Sequence, residues 1–209
     1  MLREIRAEIT DRIPSDALSL RAARFPSASG ELVGGDSFDE RSLHLVFREG
    51  STIAVYGRLT IGIPGVFRTW SRGAAQIPEG VNVADLGRCC VHTDYRRLEL
   101  LRSVCVEALG YSFHRNLSYV NGTYIPGRFL AGSLHDMGFK AAGPCVESFE
   151  PNGNKTYQPV TCDLKESANL WPAQRALVSD FLAKQGFTLN VLFREVGLLD
   201  DTEPTNSLG

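Results

Sequence analysis

The sequence predicts an α+β fold, a mixed α/β sandwich in which a central mixed sheet carries helices on both faces. Three observations predict it. The runs "LHLVFREG" and "STIAVYGRL" flank a Glu49-Gly50-Ser51 turn and read as an antiparallel hairpin. "VNVADLGRCCV" reads as a strand and feeds a stretch with Leu98, Leu101, Val104, Cys105 and Ala108 at helical spacing. Strand and helix patterns then follow each other to the end of the chain.

The elements follow in order. Residues 2–13 are charged with a helical pattern and stop at Pro14. Ser15 or Asp16 caps a second helix running to about Phe25. "FPSASGELVGGDSFDE" is a loop rich in Gly and Ser, and the hairpin follows it. "IPGVFRTWSRGAAQIPEG" is a connection with two prolines, leading to the strand "VNVADLGRCCV" and the helix "DYRRLELLRSVCVEALGYSF". "LSYV" is a short strand, and "PGRFLAGSLHDMGF" a helix begun by Pro126 and ended near Gly138. "FKAAGPCVESFE" and "TYQPVTCDL" read as two strands around the turn "PNGNK". Asn169 to Gly186 reads as a helix with Pro172 near its first turn. No internal repeat or linker divides the chain. Residues 1–197 therefore read as a single domain and 198–209 as a polar, disordered tail.

Composition sets bounds on function. The chain has 209 residues and 43% apolar content, enough for a sizeable core. A net charge of −2 argues against wrapping nucleic acid. No run of eighteen apolar residues is present, so no transmembrane helix is expected, and the charged N-terminus lacks the apolar core of a signal peptide. Five cysteines, an odd number, fit a reduced cytoplasmic protein better than a disulfide framework.

"LGRCCVHTDYRR" at the centre and "LHDMGF" farther on make the stretch 43–139 resemble the GCN5-related N-acetyltransferase family. In that family a central strand leads into a turn of pattern Arg/Gln-x-x-Gly-x-Gly/Ala and a helix. The turn's backbone N–H groups hold the pyrophosphate of coenzyme A. Counted from Arg96, the glycine positions fall on Glu99 and Leu101. A carboxylate at Glu99 would repel the two phosphates. Otherwise the turn has a different shape or Glu99 points to solvent. Both readings lose the coenzyme A cradle. An acyl donor on a carrier protein has a single phosphate and does not need it. Arg96, Arg97 and Arg102 could meet an acidic acyl carrier protein, or pair with Glu99 and Asp94 on a solvated helix face.

A second resemblance agrees. "GGDSFDERSLHLVF", "YGRL" and "DLGRCCV" are similar to acyl-homoserine-lactone synthases, which share the fold and take acyl groups from acyl carrier protein. Asp36 and Asp39 match the family's Asp pair, and His44, Leu45 and Val46 its His-Leu-Val. Arg58 and Leu59 match Arg-Leu; Asp85 and Arg88 match Glu-x-x-Arg, with Asp for Glu. Gly34 stands where an acid is expected, and no Pro-Thr follows Arg58-Leu59. The sequence is therefore more similar to long-chain N-acyl amino acid synthases such as N-acyl tyrosine synthase. That resemblance implies transfer of a fatty acyl chain from acyl-phosphopantetheine to an amino acid's α-amine, with no other cofactor.

The residues take roles on that basis. The resemblance puts an oxyanion-binding N–H at Cys89 or Cys90, beside the substrate-binding Val91. Asp85 either deprotonates the amine or pairs with Arg88 or another arginine. Positions three apart on a regular strand face opposite ways, which disfavours the direct Asp85–Arg88 pair. Arg58 and Arg88 join Asp36 and Asp39 in a charge network that orders the N-terminal loop, or the two acids cap a turn. Leu134 stands where many acetyltransferases place a Tyr acid, so no general acid is assigned. "CCVH" gives neither a Cys–His nucleophile pair from separate elements nor a second zinc-ligand pair, because Cys145 and Cys162 are singletons. No metal is expected. The rival functions are acyl-homoserine-lactone synthesis, coenzyme A-dependent N-acetylation, and a non-catalytic binding module on the same fold.

Overall fold

The computed structural model describes residues 2–25, 37–62, 80–96, 99–127, 130–148 and 155–192. In chain order these form β1 (Arg3–Thr10), α1 (Ser15–Ala22), β2 (Ser42–Glu49), β3 (Thr52–Gly62), β4 (Val83–Val91) and α2 (Leu100–His114). There follow β5 (Tyr119–Tyr124), α3 (Leu130–Asp136), β6 (Phe139–Ala141), β7 (Val146–Ser148), β8 (Lys155–Asp163), α4 (Leu170–Lys184) and β9 (Phe187–Leu192). The sheet order is β6-β8-β5-β4-β3-β2-β1-β9, and β7 also pairs with β8. β4–β5 and β1–β9 are parallel and the remaining pairs antiparallel, so the sheet is mixed.

Helices cover both faces. α1 sets Ala17 against Val46, Ile53, Tyr56 and Cys90 on one face. On the other, α2 and α4 bury Leu100, Val104, Leu109, Trp171, Val178 and Leu182 against Ile5, Leu45 and Leu59. An ion pair with two hydrogen bonds, 2.8 and 2.7 Å, ties Arg175 of α4 to the buried Glu107 of α2. Gly57 lets α2 approach β3 closely: a Cβ there would lie 2.6 Å from Val104 Cγ1.

Several elements differ from the sequence expectation. Residues 2–13 hold a strand rather than a helix. Ile5, Ala7 and Ile9 are buried and alternate with Glu4, Arg6 and Glu8, a period of two that only a strand satisfies. Phe187, Leu189 and Val191 alternate in the same way and form β9, which the sequence reading missed. The stretch "FKAAGPCVESFE" yields two short strands, β6 and β7, interrupted around Gly143 and Pro144. α3 begins later than Pro126, because Gly127 has the positive φ (78°) of a turn. α2 begins at Leu100, after a 3-10 turn at Thr93–Tyr95. The expected turn "PNGNK", apart from Lys155, and the tail at 198–209 lie outside the described residues, as do Asp36 and Arg97.

Candidate active site

The sheet divides at β4. β4 and β5 pair from Val83–Tyr119 to Leu86–Gly122 and no farther, although β4 runs on to Val91 and β5 to Tyr124. Beyond that point β4 stays with β3, and β5 stays with β8. A bulge in β4 accompanies the split. Between the pairs Tyr56–Cys90 and Arg58–Gly87, β3 advances two residues and β4 three. Arg88 takes up the extra residue with a left-handed backbone, φ 53°.

The bulge decides which groups face the opening. His92 N–H donates to Ala54 C=O at 2.9 Å, across the register that pairs Val55 with Val91. Hydrogen-bonded and non-hydrogen-bonded pairs alternate in an antiparallel ladder. Cys90 therefore spends its N–H on Tyr56, whereas Val91 turns its N–H and C=O away from β3, toward the split. The expected oxyanion-binding amide is that of Cys89 or Cys90; the alternation of the ladder commits the Cys90 N–H to Tyr56 and leaves the Val91 N–H facing the split. Arg24, just past α1, donates to the Val91 carbonyl at 3.4 Å.

The bulge also resets side-chain parity. Leu86 and Cys89 both face α2, beside Gly57. Cys90 faces α1 with Tyr56, and Asp85 faces the same way, opposite Thr60. The Arg88 guanidinium lies 5.3 Å from the Phe25 ring centre, on α1's side. Arg88 and Asp85 thus share a side of the sheet. The regular-strand expectation of opposite faces fails because the strand is not regular there.

A polar row crosses that face. Ser42, Thr60, Asp85, Asn121 and Thr161 are successive register partners on β2, β3, β4, β5 and β8. Ser42 and Thr60 hydroxyls are 2.7 Å apart, and Thr161 donates to Asn121 Oδ1 at 2.8 Å. All but Thr161 are buried. Sequence reasoning found only Asp85 in this row, since the others become neighbours through register alone.

One step along, a charge network closes over the row. Arg21 and Arg58 both donate to Asp39 Oδ1, at 2.6 and 3.1 Å, and all three are buried. His44 Nε2 lies 3.2 Å from the Asp39 carbonyl, which can only accept, so Nε2 carries the proton. His44 Nδ1 then accepts from the Tyr56 hydroxyl at 2.7 Å, and that hydroxyl accepts from Arg21 at 3.4 Å. Burial holds the His44 pKa below its ordinary value, which keeps this neutral tautomer. The expected Arg58–Asp39 pair is present, and Arg21 is the member that sequence reasoning missed. Its signal was an arginine four residues after Ala17, on the face α1 buries.

Burial raises the Cys89 pKa well above its ordinary value and pushes Cys90 up to about 12, so both stay protonated.

No family model matches the chain, and no curated protein does. Solved structures do. LasI, an AHL synthase, is similar over 77% of this chain and 89% of its own, with 12% identity and a TM-score of 0.59. FeeM, an N-acyl amino acid synthase from uncultured soil microbes, is similar over 83% of this chain and 96% of its own, with 15% identity and a TM-score of 0.54. A Lactobacillus plantarum protein assigned as an N-acetyltransferase covers 77% of this chain and 99% of its own, with 15% identity and a TM-score of 0.54. This chain has the GCN5-related N-acetyltransferase fold. At these identities the likeness is one of fold.

In the turn before α2, Glu99 takes the left-handed conformation, φ 51° and ψ 25°, the backbone state that glycine ordinarily supplies. Its carboxylate is part-buried and pairs with Arg102 at 3.4 Å. Arg102 also donates to Gln174 of α4, so it ties two helices together instead of facing a partner. Arg96 is exposed. Leu134, at the position where the family resemblance places a Tyr acid, is buried in the apolar core. Among the described residues no cluster of His, Cys, Asp and Glu could hold a metal, and no helix is long and apolar enough to cross a membrane.

Proposed function

We propose that this protein is an N-acyltransferase that moves a long-chain acyl group from the phosphopantetheine of acyl carrier protein to the α-amine of an amino acid, tyrosine being one candidate. The opening between β4 and β5 carries this reading. It combines unpaired strand edges, a bulge and an amide at Val91 turned toward the gap. An extended pantetheine arm can lie along such an edge, and the Val91 N–H can meet the thioester carbonyl oxygen as charge develops there.

Asp85 then acts as the base for the amine as it adds to the face of the thioester carbonyl. The amine nitrogen attacks the thioester carbon and the C–N bond forms. The C–S bond breaks, Asp85 takes a proton from nitrogen, and the pantetheine sulfur leaves as thiolate and is protonated by solvent. No side-chain acid is needed, because a thiol's pKa is near 8.5 (roughly). Arg58, Arg21 and Asp39 hold β3 and α1 together behind the row and position Asp85 indirectly.

Glu99 supports a carrier-protein donor over coenzyme A. A pyrophosphate at the α2 N-terminus would meet a part-buried carboxylate. Arg96 is exposed and can meet an acidic carrier, whereas Arg102 is engaged with Glu99 and Gln174. The names of LasI and FeeM, AHL synthase and N-acyl amino acid synthase, fit the same chemistry. Mass spectrometry of lipids from an expressing host tests the product. N-acyl amino acids should appear with the wild-type chain and vanish with an empty vector. Their absence from both would refute the proposal.

A further inference from the structure

We infer that Asn121 is a specificity-determining residue that binds the α-carboxylate of the acceptor amino acid. The inference rests on the acyltransferase reading and names a second contact of the same site. Asn121 is 2% exposed, yet its Nδ2 has no hydrogen-bond partner among the described residues. Its Oδ1 accepts from the Thr161 hydroxyl at 2.8 Å, which leaves both N–H bonds of the amide unspent. Leaving such a donor buried and unpaired costs on the order of 1–3 kcal/mol. A ligand oxygen at that point recovers it.

Register places this donor beside the reacting centre. Asn121 is the parallel partner of Asp85, so the two side chains emerge on one face from adjacent strands, about 4.8 Å apart in a sheet. The pair lies one residue before the strands separate. An α-amino acid carries its amine and its carboxylate on one carbon. That carbon can bridge two neighbouring strands, with the amine toward Asp85 and a carboxylate oxygen toward Asn121. A neutral amide suits this place: Asp85 alone would repel the carboxylate, and no other member of the row carries a charge. The thioester oxygen has its own donor at Val91, on the far side of the bulge, so it does not compete for Asn121.

Calorimetric titration of free amino acids, tyrosine included, and of tyramine as the decarboxylated probe tests this. Wild type should bind an amino acid more tightly than the matching amine. Asn121→Ala should weaken amino acid binding about tenfold or more, the loss of one hydrogen bond to a charged group, and leave tyramine binding unchanged. Asn121→Asp, which can still accept from Thr161 but offers no N–H, should do the same. Thr161→Val should lose less than either. Equal losses for tyrosine and tyramine, no loss for either Asn121 variant, or no binding of any amino acid to wild type would overturn the inference. Detection of an N-acyl product decides the acyltransferase reading separately.

Discussion

Asp85→Asn is expected to lower kcat by about 10²–10⁴-fold, the range for loss of a positioned general base, with the fold retained. The amide has the same shape as the carboxylate and can sit in the polar row between Thr60 and Asn121. It cannot take a proton from the amine. KM for the acyl donor should change little, because the donor's contacts lie beyond the bulge. Rate measurements at several pH values provide a second readout: the profile should lose the limb that a general base contributes. An unchanged kcat in a folded variant would remove Asp85 from the mechanism. A collapsed thermal transition would instead assign it to the structure of the row.

Asp39→Asn should be the most destabilising single change among the residues of the site. It leaves two buried guanidiniums, Arg21 and Arg58, facing each other without the carboxylate between them. Breaking a buried ion pair from one side costs about 3–5 kcal/mol. For a chain of this size that corresponds to a fall in Tm of roughly 6–20 °C. Adding Arg21→Met to Asp39→Asn should recover part of the loss, since one of the two buried charges is then gone, and a double-mutant cycle reads that coupling. A Tm within about 2 °C of wild type, against the 2–4 °C expected per kcal/mol, would show that the network does not hold α1 to the sheet.

The core of the fold was legible because its signals are local. The hairpin of β2 and β3 is announced by the Glu49-Gly50-Ser51 turn, and Gly50 has the positive φ (57°) that such a turn uses. α2 is announced by apolar spacing, and α4 by a helical stretch with Pro172 near its first turn. β1 was misread because its charged residues satisfy a helical pattern as well as an alternating one, and only its partners β2 and β9 choose between them. The site was half legible. Asp39, Arg58, Asp85 and Arg88 stand in a recognisable spacing. Arg21 enters through a helix packed across the sheet, and Asn121 through a parallel pairing, neither of which leaves a trace in spacing. The bulge at Arg88 was the least visible feature. A non-glycine residue with φ 53° gives no composition signal, yet it sets the parity of every side chain after it on β4.

The most direct test of the account compares donors. Purified protein is given one fatty acyl chain on acyl carrier protein, on coenzyme A and on pantetheine, with an amino acid acceptor, and kcat/KM is measured for each. If Glu99 stands where a pyrophosphate would sit, as proposed, the account predicts efficient turnover with the carrier-protein thioester, weak turnover with pantetheine, and no advantage of coenzyme A over pantetheine. Turnover with the coenzyme A thioester equal to or better than with the carrier protein would contradict it.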